Sequence, residues 1–238
     1  MLKALLTDVD GTITDPTRRI NPGAIEVIRA LVDQGITVVL ASGNTACFMD
    51  ALSRMTGTDG SFIAENGGVY RIGYSGTLHI TGDQTVCRTA LAEVQSYYQE
   101  KKIELELYSP TYRFADLAFA RTVPVEEVKK VLSRHPVQVI DTGYAIHLQS
   151  EGVTKGTALA ALATELGISP MDFLAIGDSI NDMQMLKTAG IGVAVANAHP
   201  DTKAAAHDVM EKEYGEGFVE AIKKYFPYLR AIKRSTTI

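Results

Sequence analysis

Residues 3–12 read KALLTDVDGT, and the rest of the chain is best understood outward from them. A short apolar run without polar alternation stops at Asp8; Asp10, Gly11 and Thr12 follow. Such a run fits a strand buried on both faces, the kind found in parallel sheets covered by helices. The two acids then stand where the strand leaves the sheet. In open α/β sheets, ligands sit beyond that carboxyl end.

The same rhythm continues downstream. Asn21-Pro22 is a helix start, with Asn21 as N-cap and Pro22 at the first helical position. Ile25, Ile28, Leu31 and Val32 keep helical spacing, and Gly35 stops the helix. Residues 36–41 (ITVVLA) form a second buried strand that ends at Ser42-Gly43, and a helix over 45–55 follows. Residues 61–64 (SFIA) form a third strand, ending at Glu65-Asn66-Gly67-Gly68. Each connection is long enough for a crossover, so a parallel, doubly wound α/β sheet is expected. Residues 69–80 break the pattern: VYRI and TLHI flank Gly73 to Gly76 as a hairpin.

Residues 82–152 change character. A helix over 84–101 leads to a half-exposed strand at 103–108 (IELELY), with 116–121 (DLAFAR) as its hairpin partner. A helix from Pro124 to about 134 and strands at 137–141 and 145–149 complete a second helix–strand–strand unit. The expectation is a small α+β domain inserted at 82–152 into a core made of 1–81 and 153–238, with Gly82 and Gly152 as hinge candidates. From Thr154 the crossovers resume. Helices are expected at 155–166, 180–189, 200–206 and 216–225, and strands at 172–176 and 191–195. The tail AIKRSTTI shows no pattern and is expected to be loose.

Composition narrows the function. With 46% hydrophobic and 21% charged residues, the 238-residue chain can bury a full core. A net charge of −5 gives no general attraction for nucleic acid or anionic lipid, so neither is an expected partner. Cys47 and Cys87 lack metal spacing and read as free thiols in a reducing compartment. The apolar start is too short for a signal core or a membrane span, so a soluble cytoplasmic protein is expected, as a monomer or homodimer.

Chemistry collects at the predicted strand ends. Asp8 and Asp10 follow the first strand, Ser42 and Gly43 the second, and Asp178 and Asp182 the strand at 172–176. Lys155 opens the helix that enters from the insert. Asp8 and Asp10, two apart on extended chain, share a side; Asp178 and Asp182, four apart at a loop-to-helix junction, share a face. Four carboxylates in one cleft repel unless a cation joins them. Hard oxygen donors without histidine or cysteine favour Mg2+ over zinc. An ammonium, a hydroxyl and glycine-turn amides add the donors a phosphate needs. Each feature alone is an ordinary loop or surface charge. Together, all at one sheet edge, they describe a phosphate site.

DVDGT at 8–12, SGN at 42–44, TKG at 154–156 and GDSINDMQM at 177–185 resemble the four ordered motifs of the haloacid-dehalogenase superfamily. ENGG at 65–68 resembles the subgroup whose cap lies between the second and third motifs. Within it, the compact length and small cap look like archaeal-type phosphoglycolate phosphatases. The resemblance implies a Rossmann-like core with a cap, and an Mg2+-dependent phosphatase working through an aspartyl-phosphate. It implies that Asp8 is nucleophile and metal ligand, and that Asp10 is general acid and base, with its backbone carbonyl on the metal. Ser42, Gly43 and Lys155 would hold the phosphoryl group; Asp178 would ligate the metal, and Asp182 would support it directly or through water. Thr12 is expected to steady Asp10.

A sugar phosphate or another small metabolite is the alternative substrate. A phospho-accepting receiver domain is the alternative from another class, though such domains are shorter and uncapped. A phosphoglycolate carboxylate would need a donor from the cap. Arg113, Arg121 and His147 are of the right type, but each reads first as a surface group. The remaining histidines form no cluster and read as structural.

Overall fold

The structure is a computed structural model, and it describes residues 2–229. The elements follow in chain order: β1 (Ala4–Asp8), α1 (Pro22–Asp33), β2 (Thr37–Ala41), α2 (Ala46–Thr56) and β3 (Phe62–Ala64). A one-turn 3-10 helix (Glu65–Gly67) leads to β4 (Val69–Arg71) and β5 (His79–Ile80). The inserted segment holds α3 (Gln84–Glu100), β6 (Leu117–Ala120), α4 (Val125–Val131), β7 (Val137–Asp141) and β8 (Ala145–Ser150). Then come α5 (Lys155–Leu166), β9 (Phe173–Gly177), α6 (Met183–Thr188), β10 (Ile191–Ala194), α7 (Pro200–Ala205), β11 (Asp208–Val209) and α8 (Tyr214–Tyr225).

The main sheet has the order β11-β10-β9-β1-β2-β3-β4-β5. It is parallel from β11 to β3, and β4 and β5 add an antiparallel edge. β1 sits in the middle, buried along its whole length. Its side chains alternate between layers, as the two-residue strand period requires. Leu5 packs with Ile28, Leu31 and Phe218 on the α1–α8 face, while Leu6 packs with Leu159, Leu162 and Leu186 on the α5–α6 face. The α1 start is as expected: Asn21 Oδ1 accepts the amides of Gly23 and Ala24 at 2.8 and 3.2 Å, with Pro22 next.

The inserted unit is an antiparallel sheet of order β6-β8-β7 backed by α3 and α4, with its own apolar core around Tyr98, Phe119 and Ile146. Here one expectation fails. Residues 103–108 form no strand; only a bridge from Leu107 to Phe119 and two backbone bonds at 2.8 Å tie them to β6. Lys102 and Ser109, both at positive φ, turn the backbone at the two ends of the segment. The full ladder of β6 is the one it makes with β8. The helix expected over 180–189 splits into a 3-10 turn (Ile180–Asp182) and α6. β11 is a two-residue strand at the edge of the main sheet, beyond the strands expected from the sequence. The unpatterned tail lies outside the described residues. Among the described residues, no helix is long and apolar enough to cross a membrane. Both cysteines are free thiols.

Candidate active site

Strand register decides what meets at the sheet edge. Asp8 pairs with Ala41, Thr7 with Ile176, and Gly177 with Ala194. Asp8 therefore lies beside the start of the Ser42-Gly43 turn on one flank and the Gly177-Asp178 turn on the other. Lys155 reaches the same place from α5, whose first turn is closed by a reciprocal capping box between Thr154 and Thr157. The ENGG turn holds that helix start in place. A Cβ on Gly67 would stand 2.2 Å from the Thr154 carbonyl oxygen, and its φ of 104° suits glycine alone.

The Lys155 ammonium is buried between two carboxylates. Nζ donates to Asp8 Oδ1 and, at 2.6 Å, to Asp182 Oδ1. Asp182 Oδ2 accepts the amides of Asp178 and Ser179 at 3.0 and 2.9 Å. Both Asp182 oxygens are thus engaged, which favours the indirect of the two roles expected for it. Asp178 is oriented by the Thr12 hydroxyl at 2.9 Å and the Ser179 hydroxyl at 3.3 Å. Thr12 therefore steadies Asp178, and not Asp10 as expected, because its hydroxyl faces across to the β9 turn. Gly11, at φ +89°, leaves room for this: a Cβ there would lie 2.5 Å from Asp178 Oδ2.

Asp10 is held by Asn44, whose Nδ2 donates to Asp10 Oδ2 and to Ser42 Oγ, both at 2.9 Å. Ser42 Oγ also accepts the Asn44 amide at 3.1 Å. With two donors on its oxygen, the Ser42 hydroxyl keeps its proton free to donate to a ligand.

The electrostatics are those of a charge cluster short of cations. Asp8, Asp178 and Asp182 each offer an oxygen within 4.8 Å of the others. Burial first, then repulsion from Asp182 and Asp178, pushes the Asp8 carboxyl well up, and Lys155 only partly opposes this. Burial, with Asp182 next, lifts Asp178 to about 7. Burial alone would disfavour the Lys155 ammonium, but Asp182 and Asp8 more than reverse that and raise its pKa. Three carboxylates against one ammonium, all with oxygen donors, fit a hard divalent cation of the Mg2+ kind. The Asp10 side chain is not part of this cluster.

A cavity of about 410 Å³ reaches this cluster at Asp8. Asp8, Asp10, Ser42 and Gly43 line one side, and the inserted unit supplies Arg113 and His147 on the other. These two are not surface groups: Arg113 is 7% and His147 4% exposed. Arg113 Nη1 donates to the Gly43 carbonyl at 3.2 Å and to Asp116 Oδ1, and His147 Nδ1 lies 2.8 Å from Asp116 Oδ2. Arg121, by contrast, points outward in an ion pair with Asp141. Arg18 lines the rim, 4.2 Å from the Tyr144 ring.

Glu65 locks the two units together. Its buried carboxylate accepts the amides of Phe114, Ala115 and Asp116. Burial, with Asp116 next, raises it to about 7. Sequence reading singled out neither Glu65 nor Asn44 for a role of its own, although both stand within quoted motifs. Asp116 carried no signal, since its partner His147 is 31 residues away.

The sequence model of the haloacid dehalogenase-like hydrolases matches residues 5–118 and 124–222. The chain is 62% identical over 231 residues to a phosphoglycolate phosphatase of Methanoculleus marisnigri, covering 96% of this chain and 99% of the relative. It is 48% identical to a phosphoglycolate phosphatase of Methanospirillum hungatei, covering 97% and 100%. Among solved structures, Thermoplasma acidophilum 0175 superposes with a TM-score of 0.83 at 30% identity, covering 94% of this chain and 98% of the other.

Proposed function

The chain belongs to the haloacid dehalogenase-like hydrolase family and is a phosphatase, and from that premise we propose that it converts phosphoglycolate to glycolate and phosphate, with Mg2+, through an aspartyl-phosphate on Asp8. The observation that carries this reading is the buried Lys155 ammonium bridging Asp8 and Asp182, with Asp8 itself lining a cavity beside Ser42 and Asp10. The names of the archaeal relatives supply the substrate.

In this reading Asp8, Asp178 and the Asp10 backbone carbonyl would hold Mg2+, which when bound offsets the crowded negative charge and stabilises charge on the transferring phosphoryl group. The chain's own groups do the rest. The Ser42 hydroxyl, the Gly43 turn and Lys155 orient the phosphate oxygens. An Asp8 oxygen attacks phosphorus as the ester bond breaks. Asp10, aimed by Asn44, gives its proton to the departing glycolate oxygen. The same carboxylate then takes a proton from water, whose oxygen attacks phosphorus and breaks the acyl phosphate, restoring Asp8. The inserted unit acts as a cap that excludes bulk water, with Gly82 and Gly152 as hinges. A small metabolite is the only partner this requires. A cytoplasmic location, as a monomer or homodimer, belongs to the same reading.

The test is phosphate release from a panel of phosphorylated metabolites, with and without Mg2+, for the native chain and Asp8→Asn. Turnover of phosphoglycolate that needs Mg2+ and disappears in a folded Asp8→Asn is expected. Preference for a sugar phosphate would sink the substrate assignment, and a long-lived phospho-protein without turnover would sink the hydrolase reading.

A further inference from the structure

We propose that Arg113 and His147, both anchored on Asp116, form the subsite that takes the substrate's carboxylate, and so select phosphomonoesters with an anionic group one methylene from the ester oxygen. This rests on the phosphoglycolate reading above and deepens it.

The chemistry of the substrate sets a strict condition. Only one oxygen and one methylene separate phosphorus from the carboxylate, so whatever reads the carboxylate must touch the phosphate-binding turn itself. Two groups of the inserted unit do so. Arg113 Nη1 donates to the Gly43 carbonyl at 3.2 Å, and a Cβ on Gly43 would lie 3.2 Å from His147 Cε1. Arg121 fails the condition, being engaged at the surface with Asp141. Arg18 sits at the rim, against the Tyr144 ring.

The hydrogen bonds leave capacity for a ligand. Asp116 spends one oxygen on Arg113 Nη1 and the other on His147 Nδ1. Arg113 Nε donates to the Tyr108 carbonyl. His147 Nε2 and Arg113 Nη2 have no protein partner among the described residues, although both side chains line the cavity. One buried carboxylate thus faces Arg113 and His147, and a second carboxylate can accept from Arg113 Nη2 and, when the ring carries both protons, from His147 Nε2. The pair is also preorganised. Glu65 clamps the amides of residues 114–116, fixing Asp116 and the backbone beside Arg113 before any ligand arrives. Asp116 is a positioning residue; Arg113 and His147 would touch the substrate.

The experiment compares kcat/KM for phosphoglycolate with that for hydroxyethyl phosphate, in which a hydroxymethyl group replaces the carboxylate. The native ratio should be on the order of 10–100-fold, the worth of a charge-assisted hydrogen-bond pair. In His147→Gln, Arg113→Lys and Asp116→Asn that ratio should fall about 10-fold or more, mainly through KM for phosphoglycolate. A measurement on the native protein alone guards against variants that do not fold. 3-Phosphonopropionate should inhibit on the order of 10-fold more tightly than 3-hydroxypropylphosphonate. Equal inhibition, or a native ratio near one, overturns the subsite. So do folded variants that keep the ratio, while phosphoglycolate remains a substrate. If the native enzyme ignores phosphoglycolate but hydrolyses another ester, it is the substrate reading that has failed.

Discussion

Lys155 and Asp182 form a fully buried ion pair, 2.6 Å between Nζ and Oδ1, at the junction of two helices that enter the site from different parts of the chain. The other Asp182 oxygen caps the turn that carries Asp178. One carboxylate therefore sets both the Lys155 ammonium and the turn that carries Asp178.

Asp182→Ala strands a buried ammonium with Asp8 as its sole remaining partner among the described residues and frees two part-buried amides. The expected loss of stability is about 3 kcal/mol, the lower end for a broken buried pair because Asp8 remains. Asp182→Asn keeps an acceptor for the amides and should lose less. Denaturant titration of the two variants checks the order; equal losses would mean that the amide bonds contribute nothing.

Metal binding should depend on pH in a defined direction. Asp178 is raised from 3.8 to about 7 and Asp8 is raised as well, so the folded, metal-free protein holds protons that the unfolded chain has released. That proton-linked stability is complete below the unfolded value near 3.8 and is lost as pH rises through about 7. Mg2+ must displace the same protons, so its affinity should climb as pH rises through about 7. Melting temperatures with and without Mg2+ at acid and alkaline pH read this out. A shift on adding Mg2+ that is larger at low pH would contradict it.

Asn44 aims Asp10, and its removal should show the chemistry of a displaced general acid. Asn44→Ala is expected to lower kcat on an alkyl phosphate on the order of 10-fold or more. p-Nitrophenyl phosphate should suffer less, because its leaving group departs without a proton. Equal losses on both esters would place the role of Asn44 in phosphate binding through Ser42 instead.

Much of this was legible in the chain itself, for reasons visible in particular residues. Buried parallel strands cannot alternate, so KALLT and ITVVLA declare themselves as uninterrupted apolar runs. Asn21-Pro22 and Thr154 mark helix starts because the backbone needs those groups there. Even the inserted strands at 137–141 and 145–149 follow from local pattern. The segment 103–108 has the alternation of a strand, but alternation is local, whereas a ladder depends on how the segment lies along β6.

What the sequence determined alone was the order of crossovers and the presence of acids, a hydroxyl and a lysine at strand ends, because these are local properties of pattern and spacing. What only the tertiary structure decided was who holds whom: Thr12 on Asp178, Asn44 on Asp10, and Asp116 between Arg113 and His147. Most of those partnerships join residues far apart in the chain, and burial turned Arg113 and His147 from apparent surface groups into the far wall of the cavity. Side-chain direction and desolvation arise when separate elements pack, so no stretch of sequence read by itself contains them.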